Sequence, residues 1–363
     1  KEPDNMLPCK MTFPIVKPEA LNSNSSDSVP VGTGMFKYDI HGSTDAKICL
    51  NKYDGYYGNS PYIDGAEINV YGNSSAKYTE EYSFMMLYDD AVSSDLSKEN
   101  VYDVTFAGNI FECLIPNISG SSCMSNADIR NAVSSFIERD DLIKAAASGN
   151  AEAAIIPAYK GTFCWQDDGA KYDSDAETGA KYMENAGYSK DESGKWIKNG
   201  SQITIKCIAP GEFTEHSLLA IRLKYELEQN GIAVVTETLN DKDYAAALKN
   251  GNYDVAVMEM KIGSWIDLES VYGKDGSLNI NGYKNDELDG LFGSVKTLKD
   301  NTAIKDMYRQ IRDVILKDMP VIGLYIKNST VIVDNSLQQV FQSGIYTWDL
   351  FSNIDKWYIW ETQ

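Results

Sequence analysis

The chain is 363 residues long, enough for two domains that each bury a core, and its 43% hydrophobic and 11% aromatic content excludes wholesale disorder. Its 53 acidic and 33 basic residues leave a formal net charge of −20, which argues against gripping a phosphate backbone, a task for clustered Lys and Arg. No run of eighteen apolar residues is available to span a membrane, and the polar start at Lys1 does not read as a signal peptide, so a mature portion is expected.

Residues 1–30 are Pro- and Ser-rich and are expected to be extended, then loop. VGTGMFKYDI turns at Gly32 and Gly34 into a strand, and residues 45–52 and 66–71 alternate as two more, joined by the turn-rich NKYDGYYGNSPYIDG. A helix is expected from Tyr78 to Leu87, and a strand at NIFECLIPN, residues 109–117. Ser125 and Asp128 form an S-x-x-D capping pattern before Ile129, Val133, Phe136 and Ile137 at helical spacing. RDDLIKAAASGN supplies a further helix ending at Gly149.

The region from Lys181 to Met258 is the most informative. A short helix stops at Gly187, Ile203, Ile205 and Cys207 alternate as a strand, and a helix follows that ends at Gly231. That helix carries two apolar stripes, Leu219/Leu223/Leu227 and Leu218/Ile221/Tyr225, which predicts enclosure on two sides. Strand IAVVTET, helix DKDYAAALKN and strand YDVAVM then imply parallel pairing with right-handed crossovers. Ile304, Met307, Ile311 and Ile315 mark a later helix closed by Pro320, with VIGLYI as the next strand.

Chemistry-bearing motifs are sparse. There is no G-x-S-x-G elbow, and Gly32-Thr33-Gly34 lacks the phosphate-loop pattern. With only His41 and His216 and no C-x-x-C pair, a zinc site of usual composition is not expected, and no cofactor is. Six cysteines permit three bridges or buried free thiols, and both remain open. The loop from Glu259 to Gly273 is the most promising, because it follows the carboxyl end of a strand, where open α/β sheets place ligands. Within EMKIGSWIDLESVYG the candidates are Glu259, Lys261, Trp265 and Asp267. Trp265 could stack on a ligand and Asp267 pair with an ammonium, or the tryptophan could pack under its own loop and the aspartate cap a turn.

Seven pieces in order, VGTGMFKY, NKYDGYYGNSPYIDGAEI, NADIRNAVSSFIERDDLI, YMENAGYSKDESGKWIKNGSQITI, YELEQNGIAVV, NGNYDVAVM and NGYKNDELDGLF with MPVIGLY, resemble the family 5 extracytoplasmic solute-binding proteins of ABC importers. The resemblance implies an α/β fold with mixed sheets, of the two-lobed periplasmic-binding-protein type II, closing on ligand about a hinge. Residues 1–111 and 327–363 would form the first lobe and 112–326 the second. It also implies that a carboxylate in the loop matching WIDLESVY, here nearest to Asp267, holds a peptide's amino terminus, and that Phe111, Cys113 and Tyr325 on the hinge strands face the cleft. The chain departs in having W-x-D without a following proline. Relatives carry roughly 150 to 200 more residues at the amino end, so the first lobe is expected to be partial.

The expected function is therefore binding of peptides or a similar small solute without catalysis, by a monomer that delivers to a membrane permease. It would be periplasmic or anchored as a cell-surface lipoprotein, with no nucleic-acid partner. A cell-surface interaction module that kept the fold and a carboxylate-based hydrolase are the alternatives.

Overall fold

In the computed structural model, residues 32–69, 84–87, 100–159, 162, 164, 174–262, 267–341 and 350–360 are described. They fall into two compact units. One is Ala107–Asn328; the other combines residues up to Phe106 with those from Ser329 onward.

In chain order the strands are β1 (Phe36–Tyr38), β2 (Lys47–Lys52), β3 (Gly65–Asn69), β4 (Phe84–Leu87), β5 (Val101–Pro116), β6 (Ala151–Ala153), β7 (Ser189–Lys190), β8 (Trp196–Lys198), β9 (Ser201–Gln202), β10 (Thr204–Pro210), β11 (Ala233–Leu239), β12 (Val255–Lys261), β13 (Ile322–Asp334), β14 (Leu337–Gln338) and β15 (Tyr358–Ile359). The helices are α1 (Ala127–Phe136), α2 (Arg139–Ala146), α3 (Ala176–Asn185), α4 (Thr214–Gln229), α5 (Asp241–Asn250), α6 (Leu268–Tyr272), α7 (Asp286–Val295) and α8 (Asn301–Asp318). Strands β5 and β13 are long and contribute residues to both units.

Unit Ala107–Asn328 is built on strands in the order β11-β10-β12-β5-β13, with β6 also on β13. β10 runs parallel to β11 and β12, as the strand–helix–strand–helix–strand order predicts, and β12 pairs antiparallel with β5. The reason is the crossover helices α4 and α5, each of which returns the chain to the starting edge of the sheet. Leu219, Leu223 and Leu227 of α4 are fully buried against Ile205, Cys207 and Val257 in one core. The second stripe does not follow. Ile221 is 61% exposed, and Leu218 and Tyr225 are exposed too, so α4 is enclosed on one side only.

Gly231 ends α4 because its φ of +89° suits glycine and because a Cβ there would lie 2.2 Å from the Gly194 carbonyl oxygen. That close approach lets the β7-β8-β9 meander dock, with Trp196 donating from Nε1 to the Asn230 carbonyl at 2.9 Å. Helix α1 begins one residue later than the S-x-x-D pattern predicts. Asn126 is the cap, accepting from the Asp128 amide at 2.8 Å, while the Ser125 hydroxyl donates to the Ser122 carbonyl. The expected helix at Tyr78–Leu87 is corrected over its described end: residues 84–87 are strand β4, paired with Thr330–Val333 of β13. Residues 1–31 and residues 78–83 of the expected helix lie outside the described residues.

The second unit holds the antiparallel sheet β1-β2-β3 and the pair β14–β15. Its core joins Phe106, Val331, Val333, Leu337, Leu350 and Trp357. Phe84 packs on Trp357 with ring centroids 5.4 Å apart. Among the described residues, Cys49, Cys113, Cys123, Cys164 and Cys207 are unbridged, and no helix is long and apolar enough to cross a membrane.

Candidate functional site

Side chains alternate along a strand, so neighbouring positions serve opposite faces. On β5, Phe111 and Cys113 share one face and Glu112 takes the other. All three are fully buried. Phe111 and Cys113, which the resemblance implies face the cleft, have no exposed surface, and Cys113 donates from sulfur to the Met258 carbonyl at 3.4 Å. Burial, reinforced by the adjacent Glu112 charge, pushes the Cys113 thiol well above its ordinary pKa, so it rests as the neutral thiol.

The other face gathers charge. Glu259 of β12 is the direct register partner of Glu112. Tyr325 and Lys327 sit two apart on β13 and share its face, while Glu215 and His216 come from the first turn of α4. Lys327 Nζ lies 2.6 Å from Glu215 Oε2 and 3.2 Å from Glu112 Oε1. The Tyr325 hydroxyl donates to Glu215 Oε1 at 3.0 Å. His216 Nε2 is 3.4 Å from Glu112 Oε1 and 3.9 Å from Glu259 Oε2. Phe213 meets the His216 ring edge-on with centroids 5.7 Å apart, which fixes the imidazole plane.

Environment sets the charges. Burial lifts the Glu215 carboxyl above its ordinary pKa, and the contact with Lys327 opposes that lift. Burial alone would lower the Lys327 ammonium, yet Glu112 and Glu215 hold it well above the usual lysine value. For His216, burial lowers the imidazole, but the hydrogen bond and charge of Glu112 outweigh it and leave the pKa raised. The amino end of α4 adds a favourable field for the Glu215 carboxylate. Two buried atoms of the cluster, Glu112 Oε2 and His216 Nδ1, have no hydrogen-bond partner among the described residues.

Of the residues singled out from sequence, Glu259 and Tyr325 belong to this cluster. Glu259 keeps 43% of its side chain exposed and so offers the cluster's outward carboxylate. Lys261 follows two residues later on the same face of β12 and is exposed. Asp267 caps α6, its Oδ1 accepting from the Glu269 amide at 3.2 Å. Trp265 lies outside the described residues. Sequence reasoning passed over Glu112, Glu215, His216 and Lys327. The legible signal was a lone glutamate inside the apolar run NIFECLIPN, since an isolated buried charge demands a partner.

Residues 2–281 match the bacterial extracellular solute-binding proteins, family 5, in its middle region. The chain belongs to that family. The oligopeptide-binding protein AppA of Bacillus subtilis is 25% identical over 198 residues, 52% of this chain but 35% of that relative's length. The chain thus aligns with about a third of its curated relative. A structure of the B. subtilis AppA in complex with a nonapeptide superposes at TM-score 0.59 with 19% identity, covering 91% of this chain and 67% of that one. A nickel ABC transporter structure from Bacillus halodurans superposes at TM-score 0.76 with 18% identity, covering 92% and 70%. These likenesses establish a mixed α/β fold of the family 5 binding-protein type, and the oligopeptide and nickel relatives differ in cargo.

Proposed function

We propose that the chain is the solute-binding component of an ABC importer, that it takes peptides, and that it performs no chemistry on them. The family match over residues 2–281 carries this reading. Supporting it, Glu259 lies near the carboxyl end of β12 and Asp267 follows that end in the chain, on the side at which open α/β sheets hold ligands. In this reading Ala107–Asn328 corresponds to one lobe, and the residues flanking it belong to the other. The peptide's ammonium pairs with Glu259 or Asp267, and aromatic faces and backbone groups hold the rest. The protein works outside the cytoplasm as a monomer beside a membrane permease, periplasmic or lipid-anchored.

The test is calorimetry of the full-length protein against short peptides with free or acetylated amino termini. A charge-assisted hydrogen bond to the ammonium is worth roughly 1.5–3 kcal/mol, so acetylation is expected to weaken binding about 10- to 100-fold. Silence across peptides with a response to sugars or metal chelates would overturn the peptide assignment.

A further inference from the structure

The ammonium of Lys327 does not neutralise the cluster. It is shared between Glu215 at 2.6 Å and Glu112 at 3.2 Å, while Glu112 and Glu259 also face a histidine. Two carboxylates and one imidazole converge there, their ligand atoms all within 4.8 Å of one another. Counted formally, with the imidazole neutral as a ligand must be, three carboxylates against one ammonium leave two negative charges for a divalent cation to balance.

Distances decide between a hydrogen-bonded cluster and a ligand set. The hydrogen-bonded separation of His216 Nε2 and Glu112 Oε1 is 3.4 Å, longer than the usual span of about 2.7–3.2 Å. It is the edge expected of a tetrahedral site, because bonds of about 2.0–2.2 Å to nitrogen and oxygen put neighbouring ligand atoms roughly 3.3–3.6 Å apart. Glu259 Oε2 at 3.9 Å needs only a small rotation of a half-exposed side chain to complete a face. Glu112 Oε2, on a fully buried side chain, has no hydrogen-bond partner among the described residues. A buried carboxylate oxygen left unmatched is costly, and a metal ion at the cluster removes that cost.

The geometry points to a divalent transition-metal site formed by Glu112, His216 and Glu259, suited to zinc(II) or an ion of like preference. Imidazole with carboxylates selects such ions over calcium or magnesium, which take oxygen ligands. Water or a donor group of a solute completes the shell at the fourth position. Lys327 is the competing cation, 3.2 Å from Glu112 and 3.9 Å from Glu259, and it shares those carboxylates with the ion. Sequence spacing could not reveal the set, because its members come from β5, α4 and β12 and share no local motif.

The inference goes beyond solute binding, and it is tested without peptide so that either can fail alone. The 363-residue chain, stripped with EDTA and dialysed, is titrated with zinc(II) by calorimetry and with cobalt(II) by visible absorption. One saturable site is expected, with a cobalt spectrum of low coordination number. Glu259→Gln, half-exposed and therefore safe for folding, is expected to weaken zinc at least about tenfold, and His216→Gln to do the same and abolish the cobalt bands. Glu287→Gln, an exposed acid on α7, is the control and should bind as wild type. Zinc affinity unchanged by Glu259→Gln, or cobalt bands surviving in a folded His216→Gln, would overturn the site and leave only adventitious binding to surface acids.

Discussion

The same two strands carry opposite kinds of interior. Over residues 101–106 and 329–334, β5 and β13 supply Phe106, Val331 and Val333 to an aromatic core, and their side chains also meet in a hydroxyl pair, Thr105 with Thr330 at 3.1 Å. Over residues 107–116 and 322–328 they supply Glu112, Tyr325 and Lys327 to a buried charged cluster. Apolar packing is non-directional and tolerates substitution by shape, whereas charges buried together hold only while each keeps its partner. The aromatic region therefore reads as structure, and the charged region is where a fold spends stability on something besides folding.

The largest expected effects put that contrast at risk. Lys327→Met leaves Glu112 and Glu215 without their shared counter-ion and should lower the unfolding free energy in urea by about 3–5 kcal/mol. A loss below about 1 kcal/mol would mean that the cluster is wet and weak. Trp357→Ala in the aromatic core is expected to cost a similar amount, about 3–5 kcal/mol, through the cavity it leaves. Its partial repair by Leu, with no matching repair at Lys327 by Arg, would show that one region answers to volume and the other to charge geometry.

A smaller effect comes from pH. The folded-state pKa of His216 lies above its unfolded value of about 6.5, so its contribution to stability is complete below that pH. It is lost as pH rises through the folded value. The groups facing the imidazole are Glu112 and Glu215, which raise its pKa, Lys327, which lowers it, and Glu259, whose Oε2 lies 3.9 Å from Nε2. Unfolding measured in EDTA from pH 6 upward should show wild type losing stability and His216→Gln staying flatter. Parallel profiles would remove His216 from the cluster's electrostatics.

Smallest is the change at the loop. Asp267→Ala removes the α6 cap and should cost about 1 kcal/mol, while Asp267→Asn keeps a good cap and should cost far less. That pair separates the residue's structural duty from any duty toward a ligand.

How much of this was legible in the sequence differs between elements. The β10-α4-β11-α5-β12 succession was readable because each piece carries its own period and its own stop, such as Gly231. Strand β4 was not, since Phe84–Leu87 is a short apolar run whose state is decided by pairing with distant Thr330–Val333. The outward stripe of α4 was misread because periodicity reports two apolar faces without saying which one has a neighbour. At the site, Glu259 was singled out as the start of a loop after a strand end, whereas β12 runs on to Lys261. Glu112, His216 and Lys327 could not be joined to it, because their meeting depends on register between β12 and β5 and on where α4 begins.

The most direct measurement is the affinity of the full-length protein, held in EDTA, for one peptide with its amino terminus free and then acetylated. It is repeated in Glu259→Gln and in Asp267→Asn. The account predicts that acetylation weakens wild-type binding about 10- to 100-fold and has little effect in the variant that lacks the ammonium's carboxylate. An acetylation penalty of the same size in wild type and in both variants would contradict it.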